Sequence, residues 1–376
     1  MSNSSRRMRL AGVDIGTLTC RLLIADLPHG GRLKEIRSER RILRLGEGVD
    51  QTKQLSVAAM DRVLQCLREW RELIDASRVD ATAAVATSAV RDAANRDEFL
   101  DRVKREAGFE VELISGEEEA TRTMLGIRSG LPHGVTQVLA LDIGGGSTEF
   151  ILDRPRSLSD VDLSTAANDP QPSASFSARK NPQRIPANTP PVFPGLRPRI
   201  WPHLLRLVTN GNVEQAPSQS LVVRSIDIGV VRVCERLLHH DPPTGEEVHQ
   251  AREWIAQETK AAVAGMGNHH TATFVGTVGT ITSLAAMAQK LPTYESARIH
   301  NYRLKLDTIR ELEQTLLSGK KTDRIGLPGL EKGREEVIVA GAIIIRTAME
   351  TLGMSSVLVS DLGLREGVLI DLVMRR

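Results

Sequence analysis

The sequence has few of the residues that mark disulfide-rich or metal-binding domains. Only three of its 376 residues are cysteines, and Cys20, Cys66 and Cys234 lie far apart along the chain. An odd and scattered set forms neither a disulfide framework nor a metal-ligand spacing, and the nine histidines show no zinc-ligand spacing either. We therefore expect a reducing, cytoplasmic environment and no zinc site.

Long apolar runs are also missing. The N-terminal stretch MSNSSRRMRL is charged but lacks the apolar region of a signal peptide, and the most apolar run, VIVAGAIII, is too short to span a bilayer. The net charge is only +2 although 26% of the residues are charged, so an anionic partner is compatible but not required. We expect no membrane partner and no sequence-specific nucleic-acid partner.

Alternating strand and helix patterns predict an α/β fold with cores for two domains. Asn95 with Glu98 predicts a capping box on a helix that Gly108 ends, and Ser115 is predicted to cap a helix through Gly130. Eleven of the seventeen prolines fall between residues 155 and 217, which predicts a disordered or loosely packed insertion over residues 153–218. It would lie at the tip of an antiparallel hairpin formed by residues 149–152 and 221–227.

Two segments share one order of features. VDIGTLTCRLLIAD and LDIGGGSTEFILD each contain a strand, Asp-Ile-Gly, small or hydroxyl residues and a second strand. We interpret them as a duplicated β-hairpin whose turn amides bind phosphate, because glycine lets an anion approach the backbone. An aspartate at each strand end is suited to hold hydrated Mg²⁺. The alternative is a pair of ordinary hairpins with glycine turns.

A third glycine turn, FVGTVGTITSL, ends a strand and opens a helix, where N-terminal amides attract an anion. Neither a Rossmann nor a P-loop glycine pattern occurs in the chain. The phosphate-binding candidates from the three turns are Asp14, Gly16, Thr17, Thr19, Arg21, Gly144, Gly145, Gly146, Ser147, Thr148, Gly276, Gly279 and Thr280.

These loops resemble those of the actin-like ATPase superfold. Together with RLGEGV, ATSAVRDAANRDEFL, ISGEEEA, DIGVVRVCERLLHHDPPT, RIHNYRL, REEVIVAGAII and VSDLGLREGVL, they resemble the Ppx/GppA family of exopolyphosphatases and guanosine pentaphosphate phosphatases. The resemblance implies an actin-like (ribonuclease H-like) fold of two similar domains, with the active site in the cleft between them. It implies residues 8–125 plus about 352–376 as the first domain and 126–351 as the second, and a possible homodimer.

The resemblance also implies residue roles. The catalytic glutamate falls on Glu119, the Mg²⁺ ligands on Asp142 and Glu149, and a phosphate-contacting arginine on Arg91. Where the family has asparagine in its first loop, this chain has Leu18, which cannot donate to phosphate.

The residues have other interpretations. Acidic residues favour the first turn of a helix through its dipole, which accounts for Glu117 and Glu118 better than for Glu119. Arg91 would be misplaced near a helix start unless an anion offsets it, but it can equally be a solvated surface arginine. Arg324 and Arg334 are further candidates for binding substrate charge.

The sequence thus predicts Mg²⁺-dependent hydrolysis of a terminal phosphoanhydride, with Glu119 as the base. The substrate is inorganic polyphosphate or the guanosine polyphosphate pppGpp, and 3% aromatic residues favour polyphosphate slightly because few can stack on a base. Two alternatives stay open: a sugar or acetate kinase on the same superfold, and a non-catalytic nucleotide-binding regulator.

Overall fold

The computed structural model describes residues 7–28, 31–155 and 219–376. They form two mixed sheets flanked by helices, which confirms the predicted α/β class. Most of the predicted insertion, residues 156–218, lies outside the described residues. The two strands that lead to it pair antiparallel as predicted, but the pairing continues through residue 155, so the first strand extends further than expected.

The first sheet defines the first lobe. Its strands are β1 Met8–Ile15, β2 Thr19–Leu27, β3 Lys34–Ile42, β4 Ala81–Ala86 and β5 Val111–Leu113, and its helices are α1 Val49–Thr52, α2 Val57–Ala76, α3 Ser88–Asp92 and α4 Arg96–Ala107.

The second sheet defines the second lobe. Its strands are β6 Val138–Ile143, β7 Thr148–Pro155, β8 Gln219–Ile226, β9 Thr273–Thr277, β10 Arg303–Lys305 and β11 Ser356–Ser360. The helices that follow α4 are α5 Gly116–Gly130, α6 Val230–Leu237, α7 Gly245–Val263, α8 Val278–Ala288, α9 Ser296–Ile299, α10 Leu306–Ser318, α11 Ile338–Leu352 and α12 Leu364–Met374.

The two sheets repeat one strand order. The first runs β3-β2-β1-β4-β5, and the second contains β8-β7-β6-β9-β11 with β10 added at its edge. In each, a meander of three antiparallel strands is followed by two parallel ones. The similarity of the two glycine motifs in the sequence therefore reflects a duplicated sheet, and both glycine turns occupy the same place in it.

Each lobe has its own apolar core, since each sheet must bury a face under helices. Trp70 and Phe99 are fully buried in the first, and Phe150 is fully buried in the second. Leu18 is an exception: it belongs to the first lobe, yet its side chain is part of the apolar cluster of the second.

Two helices lie where the lobes meet. Helices α5 and α12 cross so closely that a Cβ at Gly126 would lie 1.9 Å from the Gly363 carbonyl oxygen, and one at Gly367 would lie 1.7 Å from that of Arg122. Leu369 of α12 also packs against Leu10 and Leu23 of the first sheet.

Two sequence predictions need correction. The first domain was predicted to include residues from about 352, but strand β11 pairs with β9 in the second sheet, so only the helix after it packs on the first. Asn95 does precede helix α4, but its amide exchanges hydrogen bonds with the backbone of Leu55 instead of forming a capping box. Gly108 and Ser115 act as predicted, as a left-handed helix end and a capping box.

Within the described residues, no helix is both long and apolar enough to cross a bilayer.

Candidate active site

The two glycine turns meet around a small cavity between the lobes, with a volume of about 60 Å³. The β1–β2 turn and the β6–β7 turn approach it from opposite sides. Helices α3, α5, α6, α8 and α12 contribute residues of their first turns. From the predicted set, the cavity brings together Asp14, Gly16, Thr17, Thr19, Arg21, Glu119, Asp142, Gly144, Gly145, Gly146, Ser147 and Thr280.

The two turns share one internal hydrogen bond. In the first, the amide of Gly16 donates to the carbonyl of Thr19 at 3.1 Å, and in the second, that of Gly144 donates to Ser147 at 2.9 Å. The next two amides of each turn, at positions 17, 18, 145 and 146, donate to no acceptor in the part of the chain that the structure describes. These four amides are therefore available to an anion.

Packing against the first lobe is a second physical reason for glycine at positions 145 and 146, and the sequence alone does not show it. A Cβ at Gly145 would lie 2.8 Å from the Cβ of Thr17, and one at Gly146 would lie 2.5 Å from Oγ of Ser88. Glycine thus allows the second turn to touch the first lobe, in addition to letting an anion approach.

Three buried carboxylates line the cavity, those of Asp14, Asp142 and Glu119, and a fourth, that of Glu149, is buried next to them without lining it. Asp14 and Asp142 end the two equivalent strands, Glu149 lies opposite Asp142 on β7, and Glu119 lies in the first turn of α5. Burial raises the pKa of Asp14 and of Asp142 to about 6, and burial with the Asp142 charge raises the pKa of Glu149 to about 8. Burial, followed by the charges of Glu149 and Asp142, raises the pKa of Glu119 well above its ordinary value. The site therefore holds more negative charge than its own surroundings stabilise.

Some carboxylate oxygens in this cluster lack hydrogen bonds. Oδ1 of Asp14 and Oε2 of Glu149 have no hydrogen-bond partner in the described segments. Other oxygens of the cluster accept hydrogen bonds: Thr123 donates to Asp142 at 3.3 Å, and Ser225 donates to Oε1 of Glu149 at 2.9 Å. Among the described residues, no three His, Cys, Asp or Glu side chains converge to enclose a metal ion. A cation held here would thus take only one or two protein carboxylates.

Among the described residues, Glu119 has one cationic neighbour, Arg91. Nη1 of Arg91 lies 3.5 Å from Oε2 of Glu119 and also donates to the Ile114 carbonyl at 2.8 Å. Arg91 does not line the cavity itself. The structure therefore places this arginine beside the predicted base rather than facing the place of the phosphate.

Other predicted residues lie behind the cavity wall. The hydroxyl of Thr148 donates to the Ile228 carbonyl, so it is not directed at an anion. Gly276 lies inside β9, where a Cβ would be 2.9 Å from Val357, so packing accounts for this glycine. Gly279 instead lines the second cavity described below. Arg324 donates to the carbonyls of Leu316, Gly319 and Glu335, which gives it a structural role.

Of the two further arginine candidates, Arg324 and Arg334, the structure brings Arg334 to the cavity. Its side chain is buried, Nε donates to Glu331 at 2.7 Å, and Nη2 has no hydrogen-bond partner among the described residues. A Cβ at Gly279 would lie 2.0 Å from this nitrogen, so the glycine makes room for the guanidinium. Thr87 and Ser88 also line the cavity, but they were not among the predicted site residues. Their place in the motif ATSAVRD, which carries the family resemblance, could have pointed to them.

A second cavity of about 340 Å³ adjoins the first and shares Arg21, Val278 and Leu364 with it. Its wall contains both charges, hydroxyl groups and one aromatic ring, that of Tyr294. The guanidinium of Arg40 lies 4.9 Å from the centre of that ring. The other charged and hydroxyl-bearing residues are Glu35, Ser38, Thr277, Thr282, Ser296, Asp361, Arg365 and Glu366.

Comparison with known proteins gives a consistent result. The model of the Ppx/GppA phosphatase family matches residues 23–161 and 212–376. Exopolyphosphatase 2 of Mycobacterium tuberculosis is 30% identical over 97% of this chain and 98% of its own length. The guanosine-5'-triphosphate,3'-diphosphate pyrophosphatase of Aeromonas hydrophila is 25% identical, and the match spans 59% of that longer protein.

A solved structure agrees with this assignment. The Ppx/GppA family member of Aquifex aeolicus superposes with a TM-score of 0.69 at 30% identity, covering 98% of this chain and 99% of that one. The duplicated sheets and the carboxylate-lined cavity between them are thus set in a known family fold. This chain belongs to the Ppx/GppA phosphatase family and is an α/β enzyme that hydrolyses phosphoanhydride bonds.

Proposed function

We propose that this enzyme releases the terminal phosphate of inorganic polyphosphate in a reaction that requires Mg²⁺. The observation that carries the proposal is the 60 Å³ cavity, which is lined by two matched turns with free amides and by a buried glutamate. A volume of this size suits a single phosphoryl group. The 30% identical relative named an exopolyphosphatase, matched over nearly its full length, supports the choice of substrate.

The donor set fits Mg²⁺. Carboxylate oxygens are ligands that Mg²⁺ prefers, and it is usually held by one or two carboxylates with waters and substrate phosphates. Asp142 and Glu149 would hold it, and the unpartnered oxygen of Glu149 supports this assignment. When bound, the ion would offset the excess negative charge of the carboxylates and of the phosphate oxygens.

The turn amides bind and orient the terminal phosphate. The residues at 17, 18, 145 and 146, whose amides have no acceptor among the described residues, line one small cavity together with Thr19 and Ser147. Holding the reacting groups in line removes much of the entropic barrier to reaction. Arg21 and Arg334 also line the cavity and add positive charge that would offset the charge of the phosphate oxygens.

Glu119 takes the proton of the attacking water. The water oxygen bonds to the terminal phosphorus, the bridging P–O bond breaks, and the bridging oxygen leaves with the rest of the substrate. The carboxylate of Glu119 is buried among apolar and anionic neighbours, which makes it a strong base once deprotonated. Arg91, at 3.5 Å, favours the deprotonated form.

The second cavity favours pppGpp as a second candidate substrate. Its wall has three arginines and three carboxylates, whereas a path for bare polyphosphate would be expected to carry a positive excess. A nucleoside needs hydrogen-bonding groups and an apolar or aromatic surface, and Tyr294 with its neighbouring hydroxyls provides these. At about 340 Å³ this cavity lies within the usual range for small-molecule sites.

Phosphate release from polyphosphate, pppGpp and ATP, measured side by side with and without Mg²⁺, tests the proposal. We expect release from polyphosphate in Mg²⁺ and none in EDTA. Turnover of pppGpp alone would replace the first candidate by the second, and turnover without divalent metal would contradict the Mg²⁺ requirement. ATP turnover only with an added acceptor would revive the kinase alternative. The cytoplasmic location and the homodimer stay predictions.

A further inference from the structure

Helix α6 lies in the segment DIGVVRVCERLLHHDPPT, which has no part in the mechanism above. Its first turn is fixed to the second glycine turn. The amide of Val230 donates to the Gly144 carbonyl at 3.0 Å, and that of Val231 donates to Gly145 at 2.8 Å. A Cβ at Gly229 would lie 2.4 Å from the Gly145 carbonyl carbon, so the two segments are in direct contact. Any movement of this helix therefore moves the turn that is proposed to hold phosphate.

The same helix reaches across to the first lobe through Arg232. Its guanidinium lies 2.6 Å from Oδ2 of Asp92 and 3.3 Å from Oδ1 of Asp50, both on the first lobe. Asp227 of its own lobe is the third carboxylate, at 2.8 Å. The side chain is only 7% exposed, and a buried guanidinium among three carboxylates holds a fixed geometry.

Two further contacts join this helix to the same region. Arg236 binds Asp50 at 2.7 Å, and Glu235 accepts the amide proton of Gly48 at 2.8 Å. A cavity of about 10 Å³ lies among these residues, with room for at most one water molecule. The lobes are thus closely packed here.

Both first-lobe partners of Arg232 belong to elements that hold the first turn. Asp50 follows the segment in which the amide of Gly46 donates to the Thr17 carbonyl at 2.8 Å. Asp92 ends helix α3, in which the amide of Ala89 donates to the Thr17 hydroxyl at 3.2 Å. The preceding residue, Arg91, is the neighbour of Glu119.

From these contacts we infer that Arg232 is a positioning residue that keeps the two phosphate-binding turns at the separation the reaction needs. Arg232 neither lines the cavity of about 60 Å³ nor contacts the predicted base Glu119. It acts through Asp50 and Asp92 on one side and through helix α6 on the other. The inference rests on the proposed function, because it assigns both turns to one phosphoryl group. Loss of the contact allows the turns to separate, so the bound phosphate contacts one turn at a time.

The test compares Arg232→Met with Arg102→Met. Arg102 pairs with Asp61 at 2.8 Å and Glu106 at 2.9 Å inside the first lobe, so its variant loses ion pairs without uncoupling the lobes. We expect Arg232→Met to lower kcat/KM by about 10- to 100-fold, mostly through KM, because small displacements of binding groups have effects of this size. Competitive inhibition by inorganic phosphate should weaken by a similar factor. Arg102→Met should stay within about twofold of wild type in both measurements.

Hydrogen exchange provides a readout that a general loss of stability would not reproduce. The amides of Val230 and Val231 should exchange faster in Arg232→Met than in Arg102→Met when each variant is measured the same number of degrees below its own melting temperature. If Arg232→Met does not fold, Asp92→Asn removes one partner and should show the same pattern more weakly. The paired exchange Arg232→Asp with Asp92→Arg should recover part of the lost kcat/KM.

Unchanged kinetics and phosphate inhibition in a folded Arg232 or Asp92 variant would overturn the inference. Calorimetric binding of inorganic phosphate separates its failure from that of the proposed function. If the wild type releases phosphate from no tested substrate, the proposed function fails. Weaker phosphate binding by Arg232→Met would still support the coupling of the two turns.

Discussion

Nη1 of Arg91 lies 3.5 Å from Oε2 of Glu119, and this contact joins the two lobes of the site. The arginine lies in the last turn of a short helix of the first lobe, and the glutamate lies in the first turn of the helix that leads into the second sheet. Glu119 is buried near other carboxylates, and Arg91 supplies the positive charge beside it. The proton affinity of the proposed base depends on this arginine.

Replacing Glu119 by Gln should lower turnover by about 10²- to 10⁴-fold, because the general base is lost while the shape is kept. Phosphate-release assays at saturating Mg²⁺ measure the effect. Glu117→Gln is the matched control, since Glu117 lies exposed in the same helical turn, and its turnover should match wild type. Near-wild-type turnover by a folded Glu119→Gln variant would exclude this residue as the base.

Replacing Arg91 by Met should shift the acidic limb of the pH–rate profile to higher pH. The arginine charge lowers the pKa of Glu119, so its removal leaves the carboxylate protonated over a wider range. Arg91→Lys keeps a charge and should shift the limb less. An unchanged limb, with only a lower plateau, would mean that Arg91 binds substrate instead.

The carboxylate cluster predicts how metal-free stability depends on pH. Burial raises the pKa of Glu149 to about 8, so the folded state binds its proton more tightly than the unfolded state does. Stability is therefore lost as pH rises from the ordinary glutamate range through about 8. In EDTA, the melting temperature of Glu149→Gln minus that of wild type should grow between pH 6 and pH 9.

Mg²⁺ should reverse this trend. Metal binding needs the deprotonated carboxylates, so added Mg²⁺ should raise the wild-type melting temperature more at pH 8 than at pH 6. Glu149→Gln should gain less from Mg²⁺ at either pH. An equal increase in melting temperature for wild type and Glu149→Gln would indicate that Mg²⁺ binds away from Glu149.

The glycine run can be tested at one position. Alanine at position 145 adds a Cβ that would lie 2.8 Å from Thr17 and 3.0 Å from the Leu18 amide, so the two turns must move apart. We expect kcat/KM to fall by about 10- to 100-fold. Gly245→Ala is the control, because a Cβ there meets nothing within 4 Å. If both alanine variants keep wild-type kinetics, close contact of the turns is not required.

Leu18 offers a test at the position where the resemblance to the family predicts an asparagine. Its side chain is 4% exposed and packs in the second lobe's core, so Leu18→Asn buries an amide there and should cost about 1–3 kcal/mol of stability. Leu18→Met keeps the apolar volume and should cost less than about 1.5 kcal/mol. Urea unfolding distinguishes them. A stable Leu18→Asn variant with tighter phosphate binding would show that the leucine merely replaces a donor.

The sequence predicted the parts of the site that follow from local pattern. Asp14 and Asp142 end strands within recognisable hairpins, and Glu119 follows the Ser115 capping box, so strand and helix geometry alone brings them to one edge of each sheet. The duplication was also visible, because the same turn needs the same residues in both sheets.

Tertiary contacts decided what the sequence did not show. Arg334 reaches the cavity from a segment far along the chain, and no local pattern separates it from Arg324, which binds carbonyls instead. Asn95 had the right spacing for a capping box, but the backbone of Leu55 competes for its amide. The hydroxyl of Thr148 and the glycine at 276 had the expected residue types, but neighbouring strands and loops use them for packing.

The small volume of the first cavity bears on which bonds of a chain can react. A phosphorus in the interior of a polymer carries a neighbour on each side, and a cavity of about 60 Å³ between two touching turns is small for such a group. We therefore expect only an end group to react, so that each cleavage would leave a new end one unit shorter. A cyclic metaphosphate, which has no terminus, would be resistant for this steric reason alone.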